Sequence, residues 1–383
     1  MYTSNKCAFL KSRGWDVQVF HFSNEGKLML PNLEPYVNNY IPELQYGFYY
    51  WSGKERTRIL DFLCASIEPS DDVVVESQLM ELTYWGELIA QRVKAKSILN
   101  CLEEHISQVN EREAAFLEYK VKRYEVLNGS STSYQRYFGK LYKSEFDEYS
   151  NEGMMPICSN VVSDECNDID IPKADFTILS LGRLDKPYIQ TMLIGVHKFV
   201  STNQDYTYNF IVIGGSPDGT IEQQIEALFG GLSNVNLCLL GYMYPIPLSL
   251  IKTIDVSMAT ANSVLVTADY GIPTIVYDIS DFQTIGIYGH TTKSCFKRSC
   301  EISVPTESLL YDILLNRNIN RHNYNNKRDI DAIFDSQLAF ILKSPNDGLS
   351  YDVMRIHGFM KIFISRIKKD ILIICNKFKH SVI

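Results

Sequence analysis

Arg183 and Lys186 stand three residues apart just behind Gly182, in the stretch ILSLGRLDKPY. A guanidinium fork and an ammonium in one short loop suit an anionic, phosphorylated ligand, because both make charge-assisted hydrogen bonds to phosphate oxygens. The plain alternative for Arg183 is a surface salt bridge with Asp185. What favours the ligand is the setting. The apolar run Phe176–Leu181 leads into Gly182, an apolar-periodic segment runs from Tyr188 to Val200, and a second apolar run, Phe210–Ile213, ends in Gly214-Gly215. Strand, glycine turn, helix, strand, glycine turn spells a βαβ unit. Loops at the carboxyl ends of strands are where open α/β sheets bind ligands.

The alternation continues downstream. Ile221–Phe229 reads as a helix, Val235–Leu239 as a strand, Gly241-Tyr242 as a turn and Leu248–Ile254 as a short helix leading to Asp255. Val256–Ala259 is a strand, Thr260-Ala261-Asn262-Ser263 opens a helix ending at Gly271, and Pro273–Tyr277 is the next strand. Such alternation predicts a parallel sheet with helices on both faces.

The first half is α/β with less regularity. Asn5–Arg13 reads as a helix, Trp15–Phe22 as a strand, Leu30–Tyr50 as irregular, and Ile59–Ile67 as a helix. Val73–Val75 is a short strand ending at Glu76, Gln78–Val93 an amphipathic helix, and Ser97–Leu102 a strand followed by Glu103-Glu104-His105. Asn110–Val126 is helical and sets Phe116, Tyr119, Lys120 and Arg123 on one face, either as solvated charge or as a binding surface. Residues 129–133 read as a turn and the polar region 143–170 as a linker, which puts the domains at 1–170 and 171–345 with a tail at 346–383. A doubly wound domain normally opens on a strand, so a first strand is expected to be missing ahead of the Asn5–Arg13 helix.

A length of 383 residues accommodates two domains. Hydrophobic content of 45% with 21% charged residues is that of a soluble globular protein, and a net charge of −8 argues against a nucleic-acid partner. The nine cysteines form no C-x2-C pair, which points to reduced thiols in a cytoplasmic protein and away from zinc. No stretch approaches roughly 18 consecutive apolar residues and no signal-peptide pattern opens the chain. The tail sets Lys361, Arg366, Lys368, Lys369, Lys377 and Lys379 against a single late acid, Asp370, among Phe359, Ile362, Phe363, Ile364 and Ile367. Such an amphipathic basic helix either lies on an anionic membrane surface or packs its apolar face against the protein.

With these residues in view, the second half resembles the nucleotide-binding domain of GT-B glycosyltransferases, in particular those related to the large retaining group-one family. In that family a strand ends in Gly-Arg with a lysine following, matched here by Gly182-Arg183 and Lys186, although the family's lysine usually stands further along. Its glycine-rich second loop is matched by Gly214-Gly215, its Leu-Gly turn near the base by Leu240-Gly241-Tyr242, and its Gly-x-Pro by Gly271-Ile272-Pro273. Many relatives carry two glutamates between the equivalents of Asp255 and Gly271. This interval holds none and offers Asn262 and Ser263 instead. Together with GYMYPIP (241–247), IGIYGHTT (285–292) and Trp85-Gly86-Glu87, the pattern over most of residues 5 to 295 is similar to bacterial enzymes of capsular or exopolysaccharide assembly.

The resemblance implies an α/β GT-B fold, with two Rossmann-like doubly wound domains facing a cleft and a C-terminal helix packing back. It implies transfer of a sugar from a nucleoside-diphosphate sugar to a hydroxyl of a lipid-linked glycan, with retention and with neither metal nor cofactor. The donor would be held by Arg183, Lys186, Gly214, Gly215, Tyr242, Asn262 and Ser263, with His290 as a further residue bordering it. In the first domain, Glu104 and His105 are the expected catalytic pair, and Glu76-Ser77 ends another strand of interest. The implied partners are the nucleotide sugar and the glycan acceptor; an anionic membrane surface, the inner face of the plasma membrane, is a further partner only on the membrane-binding reading of the basic tail. Two other readings stand beside this one: a GT-B sugar-nucleotide epimerase or hydrolase, and a truncated nucleotide-sugar-binding protein without catalysis.

Overall fold

Six apolar runs of the second half become strands of one sheet, and the helices of that half pack on its two faces. The computed structural model describes residues 1–22, 31–68, 72–102, 108–151, 160–164, 169–298, 302–319 and 329–356. It divides into two compact units, one of Thr3–Pro156 with Asp329–Ile383 and one of Met1–Tyr2 with Ile157–Arg328.

In the first unit, α1 (Tyr2–Ser12) precedes β1 (Val19–His21), which pairs in parallel with β2 (Val37–Tyr40). The helix α2 (Gly53–Ala65) starts at a capping box, Ser52 accepting from the Glu55 amide while the Glu55 carboxylate accepts from the Ser52 amide. A three-stranded parallel sheet follows, with β3 (Val74–Ser77), α3 (Met80–Val93), β4 (Lys96–Asn100), α4 (Glu111–Lys122) and β5 (Val126–Leu127) in strand order β3-β4-β5. The expected turn at 129–133 instead begins α5 (Ser131–Phe138), because the Ser130 hydroxyl accepts from the Ser133 amide and starts a helix.

The charged face of α4 is neither solvated nor a binding surface. Phe116 enters an aromatic core with Phe48, Tyr84 and Trp85, and Lys120, one helical turn on, is drawn in behind it with 0% exposure. Its ammonium donates to Glu87 Oε2 (2.7 Å), Glu125 Oε2 (2.8 Å) and the Ser97 carbonyl (2.5 Å), so the buried charge is compensated from three elements.

The chain returns to this unit at Asp329. The helix Ile330–Lys343 sets Phe340 and Ile341 against Ile98 and Leu127, and the segment after it is fastened by Arg123 on Asp347, by the Tyr351 amide on Glu87 and by the Tyr49 hydroxyl on the Val353 carbonyl. The units therefore part at 157 and 329, where the sequence had suggested 171 and 346. That apolar face of Ile330–Lys343 is what assigns it. Of the basic tail, residues 357–383 lie outside the described residues. Among the described residues no helix is long and apolar enough to cross a membrane.

The second unit opens with β6 (Val162–Ser163). The βαβ alternation then runs β7 (Phe176–Leu181), α6 (Tyr188–Thr202), β8 (Tyr208–Ile213), α7 (Thr220–Phe229), β9 (Val235–Gly241). After β10 (Ile246–Pro247), which pairs with β6, come α8 (Leu248–Thr253), β11 (Val256–Ala259), α9 (Asn262–Ala268) and β12 (Thr274–Tyr277). An antiparallel edge strand, β13 (Thr284–Ile287), had no counterpart in the sequence reading; α10 (Thr306–Leu310) runs on into a π-helical turn, Tyr311–Leu315. The sheet order is β13-β12-β11-β7-β8-β9, all parallel except β13. The chain builds outward from β7 to β9 and then restarts on the other side of β7 with β11. That reversal makes a topological switch point between β7 and β11, where an open sheet leaves a crevice at its carboxyl edge. One face is packed by Tyr188, Met192, Val196, Phe199 and Phe229, the other by Leu250, Ile251, Ile254 and Val266.

Candidate functional site

The loop after β7 is anchored at its middle and open at its sides. Leu184 is buried and its amide donates to the Gly215 carbonyl (3.1 Å), while Arg183 stands exposed and Lys186 half-buried on either flank. Arg183 Nε lies 3.5 Å from Asp185 Oδ1, with both side chains well exposed (58% and 37%). An exposed pair at that distance is worth well under about 1 kcal/mol and yields readily to a better anion.

Backbone approaches backbone at the glycines. Gly214 has φ +144°, its amide donates to the Gly241 carbonyl (2.8 Å), and a Cβ placed on it would lie 1.8 Å from the Gly182 carbonyl oxygen. Only glycine can occupy that position while the two loops stay in contact. A Cβ on Gly215 would lie 2.7 Å from the ring of Tyr242, whose hydroxyl donates to the Gly215 carbonyl (3.0 Å). The loops after β7, β8 and β9 thus form one surface, with the half-exposed Tyr242 ring on it. Burial pushes the Tyr242 phenol up, Asp185 and Glu222 add to the rise, and Arg183 opposes it, so the charges of two loops bear on this ring.

Behind this surface the sequence SPDG closes the β8–α7 connection, a turn whose signature the sequence reading passed over. Glu222 accepts from the Ser216 amide (2.7 Å) and hydroxyl. Burial would raise the Glu222 carboxyl, but those hydrogen bonds win and hold it below its ordinary value. Asp218 accepts from the Thr220 hydroxyl (2.7 Å) in the same turn. Across the switch point, the Thr260 hydroxyl donates to the Tyr277 carbonyl (2.7 Å) and Ala261 takes φ +53°, a left-handed conformation that a β-carbon disfavours. Strain of this kind gathers at functional sites. Ala261 starts α9, so Asn262 and Ser263 are its first residues, and the Ser263 hydroxyl lies 4.0 Å from where a Cβ on Gly182 would be.

Arg183, Lys186, Gly214, Gly215, Tyr242, Asn262 and Ser263 thus share the carboxyl edge of one sheet. His290 does not. β13 runs antiparallel to β12, so the turn after it lies at the start of β12, where the Tyr288 amide meets the Thr274 carbonyl, at the opposite edge. Asp255 is likewise at that far edge, its carboxylate accepting from the Thr177 amide (2.7 Å) and pinning β11 to β7. Glu104 and His105 lie outside the described residues. Among the described residues no cluster of three or more His, Cys, Asp or Glu side chains is placed to hold a metal ion.

This architecture is the GT-B fold, built of two Rossmann-like domains. The likeness that shows it is to HepE of Anabaena, whose crystal structure holds UDP and glucose: 12% identity and a TM-score of 0.53, over 89% of this chain and 96% of that one. The chain also matches the lipopolysaccharide outer core galactosyltransferase WaaB in its apo form (15% identity, TM-score 0.45, 96% and 95% covered). A third match is a glycosyltransferase of Rickettsia africae (10% identity, TM-score 0.48, 90% and 89% covered). No family model and no curated protein matches the chain.

Proposed function

We propose that the chain is a glycosyltransferase that takes a sugar from a nucleoside-diphosphate sugar and gives it to a hydroxyl of a glycan. The observation that carries this reading is the surface made by the loops after β7, β8 and β9, beside the β7/β11 switch point, where the Gly182 and Gly214 backbones touch, Arg183 and Lys186 flank the first loop, and Tyr242 closes the third side. Backbone that close leaves room for a diphosphate, and two cations offset its charge. Each charge-assisted hydrogen bond would contribute about 1.5–3 kcal/mol. The same cations would stabilise the departing nucleoside diphosphate as negative charge grows on it, the step at which fixed electrostatics lower the barrier. Such a site can work without a metal.

The finer reading takes retention at the anomeric carbon and a lipid-linked acceptor in bacterial surface-polysaccharide synthesis from the sequence resemblance, a cytoplasmic place from the scattered cysteines, and attachment to the inner membrane face from the basic tail. The test is calorimetric binding of nucleoside diphosphates and nucleotide sugars, beginning with UDP, by the parent and by Arg183→Ala and Lys186→Ala. Selective binding weakened at least about tenfold in each variant supports the reading. A parent that binds no nucleotide sinks it. Donor consumed without any acceptor would move the assignment to a hydrolase or epimerase.

A further inference from the structure

A one-way chain of side-chain hydrogen bonds crosses the carboxyl ends of the three parallel strands in the first unit. Gln337 Nε2 donates to Asn128 Oδ1 (3.3 Å), Asn128 Nδ2 to Asn100 Oδ1 (2.7 Å), and Asn100 Nδ2 to Glu76 Oε1 (2.6 Å). From the other side Lys6 Nζ donates to Glu76 Oε2 (2.5 Å). Glu76 lies in β3, Asn100 ends β4, and Asn128 directly follows β5 in a left-handed conformation (φ +56°). Lys6 comes from α1 and Gln337 from the helix Ile330–Lys343. Every amide points the same way, so the relay ends on one carboxylate, which accepts directly from Asn100 and Lys6. Asn100 and Gln337 are wholly buried, and Lys6 and Asn128 nearly so, whereas Glu76 keeps 20% of its side chain open.

A structural plug at this place would be cheaper if apolar. Burying an ion pair and three amides costs desolvation, and well-packed apolar residues of similar volume are often as stable or more so. The network also sits at the edge of the sheet where open α/β folds take ligands. An ionised carboxylate has about four acceptor positions, and the bonds from Asn100 and Lys6 use two of them. The Lys6 charge neutralises the pair, so the opening favours a neutral hydrogen-bond donor over an ion.

We propose that Glu76 is a binding residue for an uncharged, hydroxyl-rich ligand, a sugar whose hydroxyls donate to its carboxylate, and that Asn100, Asn128 and Gln337 hold that carboxylate in place. The assignment rests on the sugar-transfer reading and gives the acceptor glycan its contact in the first unit.

The experiment uses the full chain, with methyl hexopyranosides and methyl N-acetylhexosaminides as probes, followed by saturation-transfer NMR and titration. Glu76→Gln keeps the volume but turns one acceptor into a donor. At least one glycoside should bind the parent and weaken by at least about tenfold in Glu76→Gln, with nucleoside-diphosphate affinity unchanged by calorimetry. Should Glu76→Gln fail to melt cooperatively, the paired change Lys6→Met with Glu76→Gln removes both charges and must give the same loss. No glycoside bound by the parent, or equal binding in the variant, overturns the assignment. A parent that binds glycosides but no nucleotide overturns the glycosyltransferase reading instead, so the two failures are separate.

Discussion

Gly214→Ala puts a single methyl group where two loops touch. The added carbon would lie 1.8 Å from the Gly182 carbonyl oxygen, and no real Cβ contact is shorter than 3.0 Å, so the loops after β7 and β8 must part by roughly 1 Å or more. The residue would also keep φ +144°, at a cost of about 1–3 kcal/mol for a β-carbon. Gly219→Ala supplies the control: φ is +73°, but nothing lies within 4 Å of the added carbon, so it carries the backbone strain without the collision. Both variants are expected to lose stability in urea titrations. Only Gly214→Ala should move the Arg183 loop, and a displacement near 1 Å in a ligand-positioning loop costs on the order of a hundredfold in function. The assay is nucleoside-diphosphate affinity by calorimetry on both variants and the parent. If Gly214→Ala binds within about threefold of Gly219→Ala, the contact between the two loops does not shape the site and the reasoning fails.

Further outcomes follow from the first unit. Lys120→Met leaves Glu87 and Glu125 buried without their shared cation, and should cost about 3–5 kcal/mol in chemical denaturation. A loss below about 1 kcal/mol would mean that the carboxylates find water or other partners. Hydrogen bonds from the Arg123 guanidinium hold the Asp347 carboxyl down at about 2. A depressed carboxyl contributes its stability above the unfolded value and loses it as pH falls toward the folded one, so this contribution should fade between about pH 4 and pH 2. Because the Asp347 side chain is 40% exposed, the effect is expected to stay under about 1 kcal/mol, and Asp347→Asn should flatten that part of the acid melt while leaving stability near pH 7 only slightly lower. An unchanged acid limb in that variant would contradict the pairing.

What the sequence determined by itself was the alternation of the second half and the loops at its strand ends. Phe176–Leu181 and Val256–Ala259 emerged with their expected bounds, and β12 and β8 with only their starts displaced, one residue later and two residues earlier, because each is a short apolar run closed by glycine or polar punctuation, a signal that needs no partner to be read. The loop residues Arg183, Lys186, Gly214, Gly215 and Tyr242 were legible for the same reason: they follow those runs directly. Tertiary structure decided what periodicity cannot carry. The place of His290 depends on β13 running antiparallel, which is a matter of pairing and not of composition. The burial of Lys120 depends on Glu87 and Glu125, which lie 33 and 5 residues away and meet it only when α3, α4 and β5 pack. The relay from Gln337 through Asn128 and Asn100 to Glu76, met there by Lys6, has directly bonded partners up to 209 residues apart, and no local pattern marks any of them. A strand or a turn is a property of neighbours along the chain, whereas a charge's partner is a property of neighbours in space, and only the folded chain brings those together.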